Sequence, residues 1–266
     1  MNPTRTPLVG VFDSGVGGLS VLKALHAELP SHDLLYVADS AHAPYGERSD
    51  DYISQRTHRI ASHLLAEGAG LLVIACNTAT AVAAASLRER WPQIPIVAVE
   101  PGVKPAVSLT RNGHIGVMAT PATLRSEKFK HLLCAHGAGI SVHLQPCPGL
   151  AGQIEQGIHD DPALLALIEK FSAPLRAAQV DTVVLGCTHY PFVHEQIQQA
   201  FGSGVTLVDT AEAVARQASR LLASTPTGPG QVRRVRLQTT GDARRLAHLA
   251  ERWLPFECEV VHAPGL

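Results

Sequence analysis

Two cysteines of this chain stand in matched settings. Cys76 closes the apolar run 71–75 and is followed by Asn77 and Thr78; Cys187 follows the run 183–185 and Gly186, and is followed by Thr188, His189 and Tyr190. The helical pattern 79–90 comes directly after the first of them. A thiol near a helix N-terminus has its thiolate favoured by the dipole, so proton exchange near neutral pH becomes feasible. His189 is close enough in sequence to tune the second thiol or relay its proton. One such cysteine reads as buried filler, since free cysteine is among the most buried residue types. Two at equivalent places ask for a chemistry that uses both. Removing a weakly acidic proton from carbon and returning one to the opposite face needs a base on one side and an acid on the other. A cysteine protease would need a fixed histidine and an orienting Asn or Asp for one thiol, and would leave the second thiol without a task. A zinc site needs three or four ligands, of which Cys76, Cys187 and His189 supply three at most.

Other small polar groups follow apolar runs in the same way. The run 8–12 leads into Asp13, Ser14, Gly15, Gly17 and Gly18. A Walker loop would need Lys-Ser/Thr after these glycines, and a dinucleotide fingerprint would need a third glycine where Ser20 stands. What remains is a tight turn exposing Asp13 and Ser14, able to hold a substrate ammonium or to orient a neighbour; the other reading is Asp13 as a plain helix N-cap. The stretch 39–49, DSAHAPYGERS, mixes turn formers with Pro44, Tyr45 and Gly46. Its backbone amides could meet a carboxylate as a nest of N–H groups does. Alternatively it is a surface loop ending at an N-cap, Ser49.

These tips need strands to carry them. Short apolar runs at 8–12, 34–38, 71–75, 96–98, 115–118, 183–185 and 205–208 alternate with longer helix-compatible stretches, which predicts parallel strands with crossover helices. The runs are apolar on both faces, as in strands sandwiched between helix layers. Open α/β sheets bind ligands beyond the carboxyl ends of such strands. An internal echo divides the tips: VGVFDS resembles IGVMAT and VIACNT resembles VLGCTH, with Asp13 and Ala119 separated by 106 residues and Cys76 and Cys187 by 111. The expectation is an α/β protein of two pseudo-symmetric, doubly wound parallel-sheet lobes, with the active site in the cleft between them. After the linker-like TPTGPG at 225–230 come another strand, helix and strand, which complete the first lobe. The expected boundaries are 1–99 with 205–266 for the first lobe and 100–204 for the second.

Of the 266 residues, 45% are apolar and 17% charged, and the formal charge is −1, with no basic footprint for nucleic acid or an anionic membrane. A small-molecule ligand is the expected partner. The N-terminal text MNPTRTPLVGVF lacks a signal-peptide hydrophobic region, and no apolar stretch of about 18 residues exists to span a membrane, so a cytoplasmic location is expected. Five cysteines, at 76, 134, 147, 187 and 258, are an odd number with no CxxC pair, which favours reduced thiols. The sequence leaves a homodimer open.

Together GVFDSGVGGLSVL, ADSAHAPYGERS, ACNTAT, ATPATLRSEKF and LGCTHYP resemble the glutamate racemases of the aspartate/glutamate racemase family, in order and over nearly the whole chain. That resemblance implies interconversion of L- and D-glutamate without pyridoxal phosphate or metal, supplying D-glutamate for peptidoglycan. It implies that Cys76 deprotonates D-glutamate and Cys187 deprotonates L-glutamate. Asp13 then assists the first thiol and His189 the second, with Glu155 as a further acidic residue near Cys187 on a looser match. Implied substrate contacts are Asp13, Ser14, Tyr45, Gly46, Asn77, Thr78, Thr120, Thr188 and His189. Cys134, Cys147 and Cys258 match no motif and read as structural. The competing readings are an aspartate racemase, which shares fold and thiols, and a non-catalytic amino-acid-binding protein on the same scaffold, for which two thiols have no use.

Overall fold

A computed structural model describes residues 8–137, 139–158, 160–223, 233–263 and 265–266. The N-terminal stretch read for a signal peptide, in its first seven residues, and the TPTGPG linker lie outside the described residues. The chain divides into two compact units, Met1–Val99 with Ala211–Leu266, and Glu100–Thr210. The second unit runs six residues beyond the expected 204, because the strand Thr206–Val208 pairs with its sheet.

In the first unit the strands are β1 (Leu8–Asp13), β2 (Leu34–Ala38), β3 (Ala69–Ile74), β4 (Ile96–Ala98), then β9 (Val235–Thr239) and β10 (Glu259–His262). They form one parallel sheet in the order β10-β9-β2-β1-β3-β4. The expected strand–helix–strand tail is there, with helix Ala243–Trp253 between β9 and β10, and it extends the sheet past β2. β2 is buried along its whole length, as a strand covered on both faces must be. Helix Asp50–Ala66 buries Ile53, Arg56, Thr57, Ile60, Ala61 and Leu64, the spacing of one helical face. Ser49 caps it, accepting from the Tyr52 amide at 3.3 Å, as the sequence suggested.

The second unit holds β5 (His114–Ala119), β6 (Ser141–Pro146), β7 (Thr182–Gly186) and β8 (Thr206–Val208), all parallel, in the order β6-β5-β7-β8. Its pattern matches β2-β1-β3-β4 strand for strand, so the echo in the sequence is an echo in topology. β6 carries no apolar run: at the sheet's edge, SVHLQP has only exposed and half-buried positions, which is why hydrophobic patterning passes over it.

Two glycines are dictated by close approach next to the thiol-bearing tips. At Gly18 a Cβ would come within 2.7 Å of Asp13 Cβ and 2.9 Å of Tyr36 Cε2; at Gly186 it would come within 2.9 Å of both Ala119 Cβ and the Met118 carbonyl oxygen. Among the described residues no helix is long and apolar enough to cross a membrane.

Candidate active site

In the first unit β1 and β3 are neighbours, so their carboxyl ends deliver Asp13-Ser14 and Cys76-Asn77-Thr78 side by side. Cys76 is itself the N-cap of helix Asn77–Arg90, two residues earlier than the pattern suggested, and its Sγ accepts from the Ala79 amide at 3.5 Å. The sulfur therefore meets the unpaired amides of the helix's first turn directly. The Cys76 thiol also donates to Ser14 Oγ at 3.5 Å. Asp13 is fully buried and accepts from the Gly15 amide at 2.8 Å. It is not a helix cap: the helix Leu19–Glu28 begins at Gly18, without a side-chain cap. Asn77 Oδ1 is buried with no hydrogen-bond partner among the described residues. A buried acceptor left so is costly unless a ligand or solvent donor meets it.

The loop after β2 is more than a surface connection. Tyr45 is 1% exposed, and its hydroxyl donates to Asp39 Oδ2 at 2.5 Å. Arg56 reaches the same carboxylate with two parallel bonds, Nε to Oδ2 at 2.9 Å and Nη2 to Oδ1 at 2.7 Å. Burial, then Asp39 and Cys76, push the Tyr45 phenol well above its ordinary range, so it stays a neutral donor. Gly46 follows in the same short turn, Tyr45–Glu47.

In the second unit β7 ends at Gly186, and Cys187, Thr188 and His189 follow, all buried. Cys187 Sγ lies 3.6 Å from His189 Nδ1, and His189 Nε2 lies 2.9 Å from Glu155 Oε1, which projects from helix Leu150–Glu155. Burial alone would pull the imidazole's pKa down; the bonds to Cys187 and Glu155 outweigh it and hold the ring well above its ordinary value. The ring is then an imidazolium at neutral pH, the counter-charge of a thiolate. Thr120 stands at the end of neighbouring β5, where it caps helix Pro121–Arg125 and shares a 2.9 Å bond with Thr123.

Each group that the sequence assigned to a tip is found at one. Asp13, Ser14, Cys76, Asn77 and Thr78 gather in the first unit, with Tyr45 and Gly46 on the adjoining loop. In the second, Glu155, His189 and Cys187 form a continuous relay, with Thr188 beside it and Thr120 on the next strand. Sequence reasoning missed two features. Asp39 and Arg56 form a buried pair, betrayed only by an arginine inside the apolar face of its helix. Cys147, read as structural, is buried in one apolar cluster with Cys187 and Tyr190. Burial, with the Cys187 charge adding to it, pushes its thiol up to about 12, so it stays protonated, and it donates to the Gln145 carbonyl at 3.3 Å. Cys134 is exposed and Cys258 half-buried, and all five thiols are free. Among the described residues no group of three or more His, Cys, Asp or Glu is arranged to hold a metal ion.

Comparison with known proteins shows the family and the fold. The family model Asp/Glu/Hydantoin racemase matches residues 18–218. A glutamate racemase of Pseudomonas aeruginosa is 54% identical over 216 residues, covering 81% of this chain and 82% of its own. One from Ectopseudomonas mendocina is 51% identical over 249 residues, 92% of this chain and 94% of its own. Among solved structures, a glutamate racemase of Bacillus anthracis superposes with a TM-score of 0.88 at 32% identity, covering 98% of each chain. The Escherichia coli glutamate racemase, in complex with L-glutamate and an activator, does so with a TM-score of 0.84 at 31% identity, covering 97% of this chain and 99% of its own. With two parallel-sheet units, a thiol at a strand tip of each, and relatives of this closeness along most of its length, the chain belongs to the Asp/Glu/Hydantoin racemase family, within the branch of the glutamate racemases.

Proposed function

We propose that this chain racemises glutamate by a two-thiol mechanism, supplying D-glutamate for peptidoglycan in the cytoplasm. The observation that carries the mechanism is the pair of tips: each unit ends a matching strand in a cysteine supported by its own polar partners. In the D-to-L direction the Cys76 thiolate removes the α-proton, the electron pair left on carbon spreads into the α-carboxylate, and the Cys187 thiol delivers a proton to the opposite face. The reverse direction exchanges the roles. His189, held by Glu155, balances the charge on Cys187 as it alternates between thiol and thiolate; at the other tip the Ala79 amide and the Ser14 hydroxyl meet the Cys76 sulfur, and Asp13 assists its proton exchange. The unpartnered Asn77 Oδ1 accepts from the substrate's ammonium, which would remove its burial cost. Ser14, Thr78, Thr120 and Thr188 supply hydroxyls, and the Tyr45-Gly46 turn meets a substrate carboxylate.

Glutamate is preferred over aspartate because the close relatives named above are glutamate racemases. The mechanism calls for no cofactor, and the partner is the small-molecule substrate itself, with a homodimer the assembly state for light scattering to measure. The test is direct: protein stripped of pyridoxal phosphate and treated with chelator is given L- or D-glutamate, and the approach to an equimolar mixture is followed by circular dichroism. Racemisation is expected from either side, with aspartate turned over at least tenfold more slowly. Activity that vanishes on chelation and returns with zinc overturns the mechanism; faster turnover of aspartate overturns the substrate.

A further inference from the structure

We infer that Asp39, Arg56 and Thr240 are positioning residues, whose buried network holds the Pro44-Tyr45-Gly46 segment in the conformation that receives the substrate. The role of that segment rests on the racemase reading; the network itself does not.

Arg56 lies on the buried face of helix Asp50–Ala66 and is 7% exposed, while Asp39 is 0% exposed. A charge in that position needs a partner and satisfied hydrogen bonds. The Asp39 carboxylate supplies both, and takes four donors. Arg56 grips it with Nε and Nη2, Tyr45 donates its hydroxyl to Oδ2, and Thr240 donates its own to Oδ1 at 2.9 Å. The Thr240 oxygen in turn accepts from the Ala41 amide at 3.1 Å. Three separate elements therefore converge on one loop: β2 through Asp39, helix Asp50–Ala66 through Arg56, and the end of β9 through Thr240. The turn Tyr45–Glu47 packs on helix Asn77–Arg90, the helix capped by Cys76. A carboxylate already holding four donors is poorly suited to act as a base. Its effect is geometric, since a bidentate fork fixes direction as well as distance. The Tyr45 ring is anchored at its hydroxyl end, and Gly46 next to it is fixed with it. This also gives the C-terminal strand–helix–strand a task beyond widening the sheet, because it brings Thr240 to the loop.

The test uses the full chain with Arg56→Lys and Thr240→Val, and reads two quantities. The first is KM and kcat for L- and D-glutamate. The second is hydrogen exchange of the loop amides in residues 40–48, without substrate. Arg56→Lys keeps the charge and loses the fork. It should raise KM about tenfold for both enantiomers while kcat stays within about twofold, the pattern of lost uniform binding. Thr240→Val should do the same more weakly, about threefold, and both should lose exchange protection in the loop. Thr240→Val removes only the two bonds of one hydroxyl, to Asp39 and from the Ala41 amide, and keeps the test alive if Arg56→Lys does not fold. A fall in kcat at constant KM overturns the inference, as does unchanged loop protection in a folded variant. Should the unmodified protein fail to racemise glutamate, the functional reading falls and the exchange measurement still decides the network.

Discussion

Cys76 and Cys187 differ in what stands beside them: a serine hydroxyl and helix amides for one, an imidazolium tied to a carboxylate for the other. In the proposed mechanism each serves one direction of proton removal and neither replaces the other. Replacing either by serine substitutes a group whose far higher pKa leaves almost no anion at neutral pH, so racemisation should fall by about a thousandfold or more in both directions. Both directions suffer because the lost group is the base for one enantiomer and the acid for the other. Elimination from a β-chloro-substituted glutamate separates them. There the α-proton goes to the thiolate, the carbon's electron pair forms the new double bond and chloride departs, with no proton returned to the opposite face. Cys76→Ser should keep elimination from the L-isomer and Cys187→Ser from the D-isomer, measured as chloride release. Equal loss from both isomers in both variants would return the chemistry to a single shared base. At this scale the sequence was legible wherever a reactive group sat at a strand end with distinctive neighbours. It was illegible for Cys147, whose closeness to Cys187 and Tyr190 is made by folding across a lobe and by nothing within its own segment.

Secondary elements separate the sources of stability from the sources of reactivity. The carboxyl ends of β5 and β7 carry Thr120 and Cys187, while their amino ends are joined by Asp181. Its carboxylate accepts from Thr110 Oγ1 and from the amides of Arg111 and Asn112, each within 2.8 Å. Partial burial would raise its pKa; these bonds outweigh it and hold it down at about 2. A depressed carboxylate contributes stability that is present above its unfolded value, near 4, and is lost as pH falls through about 2. Asp181→Asn should cost about 1 kcal/mol at pH 7, discounted for the site's solvent exposure, and the gap from the unmodified protein should close between about pH 4 and pH 2. Denaturant melts at several pH values check it, and a constant gap would refute it. At the other end of β7, Gly186→Ala forces a Cβ against Ala119 and the Met118 carbonyl, backbone that cannot swing away. Overpacking of this kind costs about 1–3 kcal/mol, and the backbone shift that relieves it moves Cys187, so activity should fall more than melting suggests. The elements that patterning found, such as β2 and β4, are buried runs. It passed over β6, an edge strand with no fully buried position, and it gave no weight to Arg56 because a lone charge three residues after Ile53 and four before Ile60 looks like noise until Asp39 is seen.

The whole molecule repeats one topology and does not repeat one chemistry. Both units order their strands alike, yet only the second tip has the histidine–glutamate relay. The two enantiomers of glutamate are equal in free energy, so kcat/KM must be the same from either side in every variant, however lopsided the lesion. Asymmetry has to be sought in which proton transfer limits the rate. Glu155→Gln keeps the bond to His189 Nε2 but removes the charge that helps hold the imidazole protonated, and should lower kcat/KM about ten- to a hundredfold, equally in both directions. Starting from L-glutamate, Cys187 removes the α-proton and that step is now slower, so α-deuteration should give a larger isotope effect on kcat/KM than in the unmodified enzyme. Starting from D-glutamate, the labelled hydrogen is taken by the undamaged Cys76 tip, and the slow step becomes delivery of a proton from Cys187. There the isotope effect should shrink. Opposite movements of the two isotope effects at an unchanged ratio of kcat/KM are the signature of two unlike bases sharing one substrate; movement of both in the same direction would mean that Glu155 acts on the fold as a whole and not on the second thiol.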